Sequence, residues 1–217
     1  MYYGTPPIVT NGLVLSLDAG NTKSYTSGST TWYDKSGFLK NGTLVNGVGY
    51  SNSNLGSLTF DGVDDYITIS QREISPAFTY ETFLIPTNVS KDQMYVGTVS
   101  DAFYIRILGS KAFLSISADI QRTLTHDTTL ENNKVYHIVS IYNGVQLKIY
   151  VNNVLTLGTV INASITSWGA DRIGRWRDAD QRSFVGNIYT LRAYNRELTA
   201  QEILQNYNAL KSRFALS

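Results

Sequence analysis

Five glutamates, Glu73, Glu81, Glu131, Glu197 and Glu202, are all that the chain offers with twelve aspartates for paired-carboxylate chemistry, because Asp and Glu together number 17. A glycosidase needs two carboxyl groups about 5 Å apart to retain configuration, or up to about 9.5 Å apart to invert it. Alternate residues of one strand supply such a pair. Glu81 lies within FTYETFLI, yet the residues two and four positions on are Phe83 and Ile85. His126 and His137 are the only imidazoles, and neither a Gly-x-Ser-x-Gly elbow nor a metal-type His pair accompanies them. His137, heading HIVSIY, reads as a satisfied structural histidine. With no cysteine in the chain, thiol catalysis, cysteine metal sites and a disulfide framework are excluded. The expectation is a protein that is not an enzyme.

A different chemistry is concentrated in the run Arg175, Trp176, Arg177, Asp178, Ala179, Asp180, Gln181, Arg182. Indole faces stack on sugars and guanidinium forks bond carboxylates, so Trp176 between two arginines suits a ligand-binding loop. The same residues allow a second posture, with Trp176 folded back onto the sheet and Arg–Asp pairs bracing the loop. Both stay open here. The candidate ligand-binding residues are Arg175, Trp176, Arg177, Asp178, Asp180 and Arg182, and the candidate partner is a glycan or another protein.

A loop needs strands to hold it, and the chain has them. Leu13 to Leu17 alternates as an opening strand, and Asp18 to Leu55 is rich in Gly, Ser, Thr and Asn, with GTLV as its clearest strand. Strands are expected at 57–60, 66–69, 78–85, 94–98, 103–108 and 112–117. Phe103, Ile105 and Ile107 share one face, Tyr104, Arg106 and Leu108 the other. HIVSIY and VQLKIYV flank Asn143-Gly144, a pair suited to a type I′ hairpin turn, with Leu147, Ile149 and Val151 inward. Asn152-Asn153 makes a second tight turn before 154–159, and 184–194 forms a long late strand. Trp32 and Trp168 fall in loop-like sequence and are expected to be buried. Many short strands with turn signals and no βαβ rhythm mean an all-β sandwich or barrel. One helix interrupts them: Thr199 and Glu202 form a capping box, after which Ile203, Tyr207, Leu210 and Phe214 line one face. The helix is expected over 199–214, packed on the sandwich. A single domain over 1–217, with 1–11 as an extension, is the expected organisation.

Lys and Arg number 18, giving a net charge of +1 and no long-range field for nucleic acid or acidic membrane. No apolar run approaches the ~18 residues of a membrane span, and MYYGTPPIVTNG lacks the basic and apolar regions of a signal peptide. Fifteen tyrosines suit a binding surface, since the ring packs while the hydroxyl bonds.

The pieces LVLSLDAG, TTWYDKSG with NGTLV, LTFDGVDDYITI, YHIVSIYNGVQLKIYVNNV, RIGRW and FVGNIYTLRAYNRELTAQEI together resemble the laminin G-like branch of the concanavalin A-like lectin/glucanase superfamily. The resemblance runs from about Gly12 to Phe214. It implies a jelly-roll sandwich of two antiparallel sheets, a fold that hosts lectins, adhesion modules and hydrolases. Hydrolase members carry a Glu-x-Asp-x-x-Glu strand, which is missing here. Members also hold Ca²⁺ at a sandwich rim through Asp side chains, which implies Asp34, Asp61, Asp64 and Asp65 as metal ligands. Turn capping by the same aspartates is the competing explanation. Pentraxin-like relatives place acidic calcium ligands after the strand equivalent to RIGR, where this chain has Arg175 and Trp176 and keeps only Asp178 and Asp180. LDAGNTKSY and YNRELTAQEI are similar to modules in structural proteins of tailed phages. What this implies is a lectin-like attachment module on a virion surface, a capsid decoration or fibre component, partnered by glycans or virion proteins. Without a phage setting it would be extracellular. A carbohydrate-binding module of a glycan-active system is the alternative, a glycoside hydrolase the third reading, and self-association is left open.

Overall fold

The computed structural model describes residues 6–73, 75–98, 103–117, 121–161, 165, 168–176 and 182–216. Among these, sixteen strands form two eight-stranded antiparallel sheets. The front sheet contains β2 (Thr31–Trp32), β3 (Gly42–Val45), β6 (Tyr66–Glu73), β8 (Gln93–Gly97), β9 (Phe103–Leu108), β10 (Lys111–Ser117), β11 (Gln121–Thr129) and β15 (Trp168–Ile173). Its order is β11-β10-β9-β8-β15-β6-β3-β2. The back sheet contains β1 (Leu13–Asp18), β4 (Gly49–Ser51), β5 (Ser57–Asp61), β7 (Phe78–Pro86), β12 (Tyr136–Tyr142), β13 (Gln146–Val151), β14 (Val154–Val160) and β16 (Val185–Tyr194). They run β14-β13-β12-β7-β16-β5-β4, and β1 pairs with β16. This is the two-sheet jelly-roll sandwich that the family resemblance implies, within the sandwich-or-barrel class set by the strand rhythm.

Period-2 alternation explains the core. Phe103, Ile105 and Ile107 meet Leu147, Ile149 and Val151 between the sheets, with Trp32 and Trp168 also buried there. Trp168 is the first residue of β15 and not a loop residue. Tyr104 and Leu108 pack instead on the outer face of the front sheet.

Two local expectations are corrected. Asn143-Gly144 does not form a type I′ turn, because only Gly144 has a positive φ (94°) and the loop spans 143–145. Asn143 caps that loop with its side chain, accepting from the N–H groups of Val145 and Gln146 at 3.0 and 2.7 Å. The type I′ signature lies at Asn152-Asn153, whose φ values are 48° and 67°. The C-terminal helix α1 covers Ala200–Leu210, and Lys211–Phe214 winds on as a 3₁₀ turn.

The helix closes the outer face of the back sheet. Thr199 and Glu202 form the expected reciprocal capping box. Ile203 packs with Val139, Ile141 and Tyr194, while Tyr207 and Phe214 pack with Phe83 and Tyr189. One sheet face is therefore buried under a helix, and no described helix lies over the other. Among the described residues no helix is long and apolar enough to cross a membrane.

Candidate functional site

The outer face of the front sheet is where arginines and aromatic rings meet. On β9 and β10, the Arg106 guanidinium lies 4.6 Å from the Phe113 ring centre and 5.2 Å from that of Tyr104. Trp176 follows β15 and packs on Tyr104 with ring centres 6.0 Å apart. Arg182 lies 4.2 Å over the indole. Asp92 ties the group together, with Oδ2 at 2.8 Å from Arg106 Nη1 and 3.0 Å from Arg182 Nε. Beside this cluster, Arg172 on β15 lies 4.4 Å over the Tyr66 ring of β6, and Arg175 lies 5.9 Å from the same ring. Ring stacking fixes the plane of a guanidinium without using its N–H donors. Thr43, Thr68 and Ser70 are exposed on the strands alongside.

Gly174 sets the direction of the loop. Its φ is 88°, and a Cβ there would run into the Phe60 ring, so the chain turns sharply off β15 at a position only glycine tolerates. Trp176 is then 9% exposed. Of its two postures, the structure shows the one folded back onto the sheet. Arg175, Trp176 and Arg182 are thus brought onto one face, while Arg177, Asp178 and Asp180 lie outside the described residues.

The acidic turn adjoins this face. Asp61, Asp64 and Asp65 each offer a carboxylate oxygen within 4.8 Å of the others. Burial raises the Asp65 carboxyl above its ordinary value, and the charges of Asp61 and Asp64 push the same way. The turn is also well braced by the protein itself. Asp61 Oδ1 accepts from Val63 N–H at 2.7 Å, and Asp65 Oδ2 accepts from Asp61 N–H at 2.9 Å. Lys91 donates to the Gly62 carbonyl. Ser183 and Arg175 reach the carbonyls of Val63 and Asp64 at 2.8 and 3.5 Å. Three hard-oxygen donors suit Ca²⁺, which takes six to eight, so water would have to complete the shell.

Asp34 does not belong to that group. Asn41, which accepts from Asp34 N–H, precedes β3, whereas Asn46, which donates to the Asp64 carbonyl, follows it. At roughly 3.3 Å per residue the two places are on the order of 15 Å apart. Asp34 is 3% exposed, and its Oδ1 accepts from the N–H groups of Ser16 and Ser36, both at 2.8 Å. Its Oδ2 accepts from Ser36 Oγ at 2.7 Å and Lys40 N–H at 3.1 Å. The carboxylate is occupied as a turn anchor.

Glu81 has a different employment from the catalytic one. It is fully buried beneath α1, with Oε1 accepting from His137 Nε2 at 2.7 Å and Oε2 from Asn206 Nδ2 at 2.9 Å. Arg192 Nη1 stands 3.8 Å away. Burial alone would raise the carboxyl, but the hydrogen bond and charge of His137, with Arg192 and Asn206, hold it below its ordinary value. None of these neighbours is a carboxylate, and a polymeric substrate has no path to a side chain without exposed surface. This network, which joins strands β7, β12 and β16 to the helix, was not legible as a unit in the sequence.

The sequence pattern of the family described as the concanavalin A-like lectin/glucanases superfamily matches residues 61–204. Among solved structures, domain 4 of AbnA, an extracellular GH43 arabinanase from Geobacillus stearothermophilus in complex with arabinotriose, superposes with a TM-score of 0.72. The match covers 91% of this chain and 98% of that one at 16% identity. The receptor binding domain of botulinum neurotoxin D superposes with a TM-score of 0.70 at 12% identity, covering 89% of this chain and 52% of that one. A mutant Trypanosoma rangeli sialidase gives a TM-score of 0.65 at 16% identity, covering 97% of this chain and 34% of that one. The chain thus spans about half of the toxin domain and a third of the sialidase. At these identities the likeness is one of fold. No curated protein sequence matches the chain.

Proposed function

This chain belongs to the concanavalin A-like lectin/glucanase superfamily, and from that premise we propose that it is a non-catalytic glycan-recognition module whose ligand lies across the outer face of the front sheet. The observation that carries this is the asymmetry of the sandwich. One outer face carries α1 across its middle, and the other presents Tyr66, Arg172, Arg175 and Arg182 in fixed orientations beside exposed hydroxyls. Guanidinium groups held rigid on an aromatic ring are suited to the hydroxyls and carboxylates of sugars. Trp176 serves in this reading as the platform that orients Arg182, not as the stacking surface. The relative solved with arabinotriose and a second structure, of the botulinum neurotoxin serotype D ligand binding domain in complex with N-acetylneuraminic acid, support a glycan as ligand class.

The virion-surface setting, implied by LDAGNTKSY and YNRELTAQEI, is part of the proposal, as is a calcium ion in the Asp61–Asp65 turn. Neither is needed for the front-sheet site to work. A glycan array, followed by reducing-end release assays on every bound glycan, tests the function. Binding without release supports it; turnover that Glu81→Gln abolishes would overturn the non-catalytic reading, and a blank array would remove glycan recognition.

A further inference from the structure

Leu39 is the most exposed large apolar side chain among the described residues, at 77%. It stands in the loop between β2 and β3, next to Phe38 (57% exposed) and on the same loop as Tyr33 (47%). The fold does not call for a leucine there. Its φ of 57° lies in the left-handed region, which glycine or asparagine enters at little cost and a leucine does not. Nor is the loop slack. The Asp34 carboxylate anchors the N–H groups of Ser36 and Lys40, Ser36 Oγ accepts from Phe38 N–H at 3.3 Å, and Lys35 N–H donates to the Ser16 carbonyl at 2.8 Å. A braced loop therefore holds two adjacent apolar side chains out in solvent, against both their backbone preference and the hydrophobic effect.

We propose that this tip docks on an anionic lipid surface, with Phe38 and Leu39 entering the boundary between headgroups and acyl chains and Tyr33, Lys23 and Lys35 at headgroup level. Local charge selects the surface. The net charge of +1 is unevenly spread: from Ala19 to Phe60 the chain carries Lys23, Lys35 and Lys40 against a single acid, Asp34, which is buried with both carboxylate oxygens hydrogen-bonded. Lys40 is paired with Glu73, which leaves Lys23 and Lys35, both exposed, as the cations of the tip. Lys23 is held close, since the carbonyl of the next residue, Ser24, accepts from Tyr33 N–H at 2.7 Å. Apolar tips ringed by lysines bind interfaces by buried area together with attraction to anionic headgroups, and aromatic tyrosines favour the same depth. The other candidate occupants fit less well. Two aromatic rings and a leucine offer on the order of 500 Å² even when wholly covered, short of the ~800 Å² per partner of a stable protein interface. A sugar needs an open ring face, but Lys40 Nζ lies 5.1 Å over the Phe38 ring centre, and Leu39 has no ring to offer. The tip is also remote from the proposed glycan site, because Tyr66 pairs with Val45 at the far end of β3.

Cosedimentation of the full chain with vesicles tests the proposal, comparing pure phosphatidylcholine with equal parts phosphatidylcholine and phosphatidylserine. Binding to the anionic vesicles is expected, weaker on the neutral ones and weakened by salt. Phe38→Ser should reduce it roughly tenfold or more, and Lys35→Gln about fivefold, with unchanged melting temperatures. Leu39→Gly should lose binding as Phe38→Ser does while its melting temperature holds or rises, because glycine relieves the positive φ. No binding to either vesicle, equal binding to both, or binding that these substitutions leave intact would overturn the proposal. A glycan-array signal lost in Phe38→Ser would assign the tip to a sugar site and overturn it as well; an array profile unchanged by that substitution supports a separate lipid-docking tip.

Discussion

Glu81→Gln keeps the shape of the buried side chain and removes its charge, which isolates what the carboxylate does under α1. His137 and Asn206 each donate to it, and Arg192, 2% exposed, has it as a neighbour at 3.8 Å. Removing one member of a buried ion network leaves the others without compensation, at a cost of about 3–5 kcal/mol. For a chain of this size that corresponds to roughly 6–20 °C in melting temperature, at about 2–4 °C per kcal/mol. The measurement is urea unfolding of both proteins at neutral pH, with the slope checked so that stability alone is compared. The pH dependence has a definite sign. The Glu81 carboxyl is held below its ordinary value of 4.5, so its stabilisation is complete above that value and lost as pH falls through the folded-state value. The difference between wild type and Glu81→Gln should therefore shrink in acid. A loss under about 1 kcal/mol at neutral pH, or a difference that grows in acid, would refute the reasoning.

Trp176→Ala is expected to lower stability by about 3 kcal/mol, as truncation of a buried aromatic does, and to weaken glycan binding through Arg182; calorimetry and binding on the one variant separate these effects. If the acidic turn binds Ca²⁺, millimolar calcium should raise the melting temperature, Asp61→Asn and Asp65→Asn should remove that shift, and Asp34→Ala should keep it while losing about 1–3 kcal/mol from orphaned N–H groups. Thr199→Ala should cost about 1 kcal/mol, measured by thermal unfolding. Hydrogen bonding to Arg196 holds Glu202 at about 2, so its contribution should persist above pH 4.5 and fade between there and pH 2.

Elements whose apolar residues alternate regularly were legible in the sequence. β9, β13 and the capping box of α1 follow directly from Phe103-Ile105-Ile107, Leu147-Ile149-Val151 and Thr199-Glu202. β11 was not, because only Leu124 and His126 of its nine residues are buried and the rest read as polar loop. β15 was partly hidden by the irregularity between Ala170 and Arg172, which breaks the period of two. The front-sheet site was half visible. The arginines and Trp176 stand out as residue types, but Tyr66, Tyr104, Arg106 and Asp92 join them only through strand pairing across long sequence separations. The Glu81 network carried one readable signal: Glu81, His137 and Arg192 are each the one residue with carboxylate, imidazole or guanidinium chemistry in a strand of otherwise uncharged residues, and a buried charge demands a partner.

The central claim is the location of the ligand, and amide chemical-shift mapping of the full chain with an array-selected glycan tests it most directly. Shifts concentrated on Tyr66, Thr68, Arg172 and Arg175 of the front sheet are the expected result, with those residues returning to their free positions when the glycan is competed away. Shifts confined to β14, to α1 or to the sandwich rim at Asp61–Asp65, with the front sheet unmoved, would contradict the account.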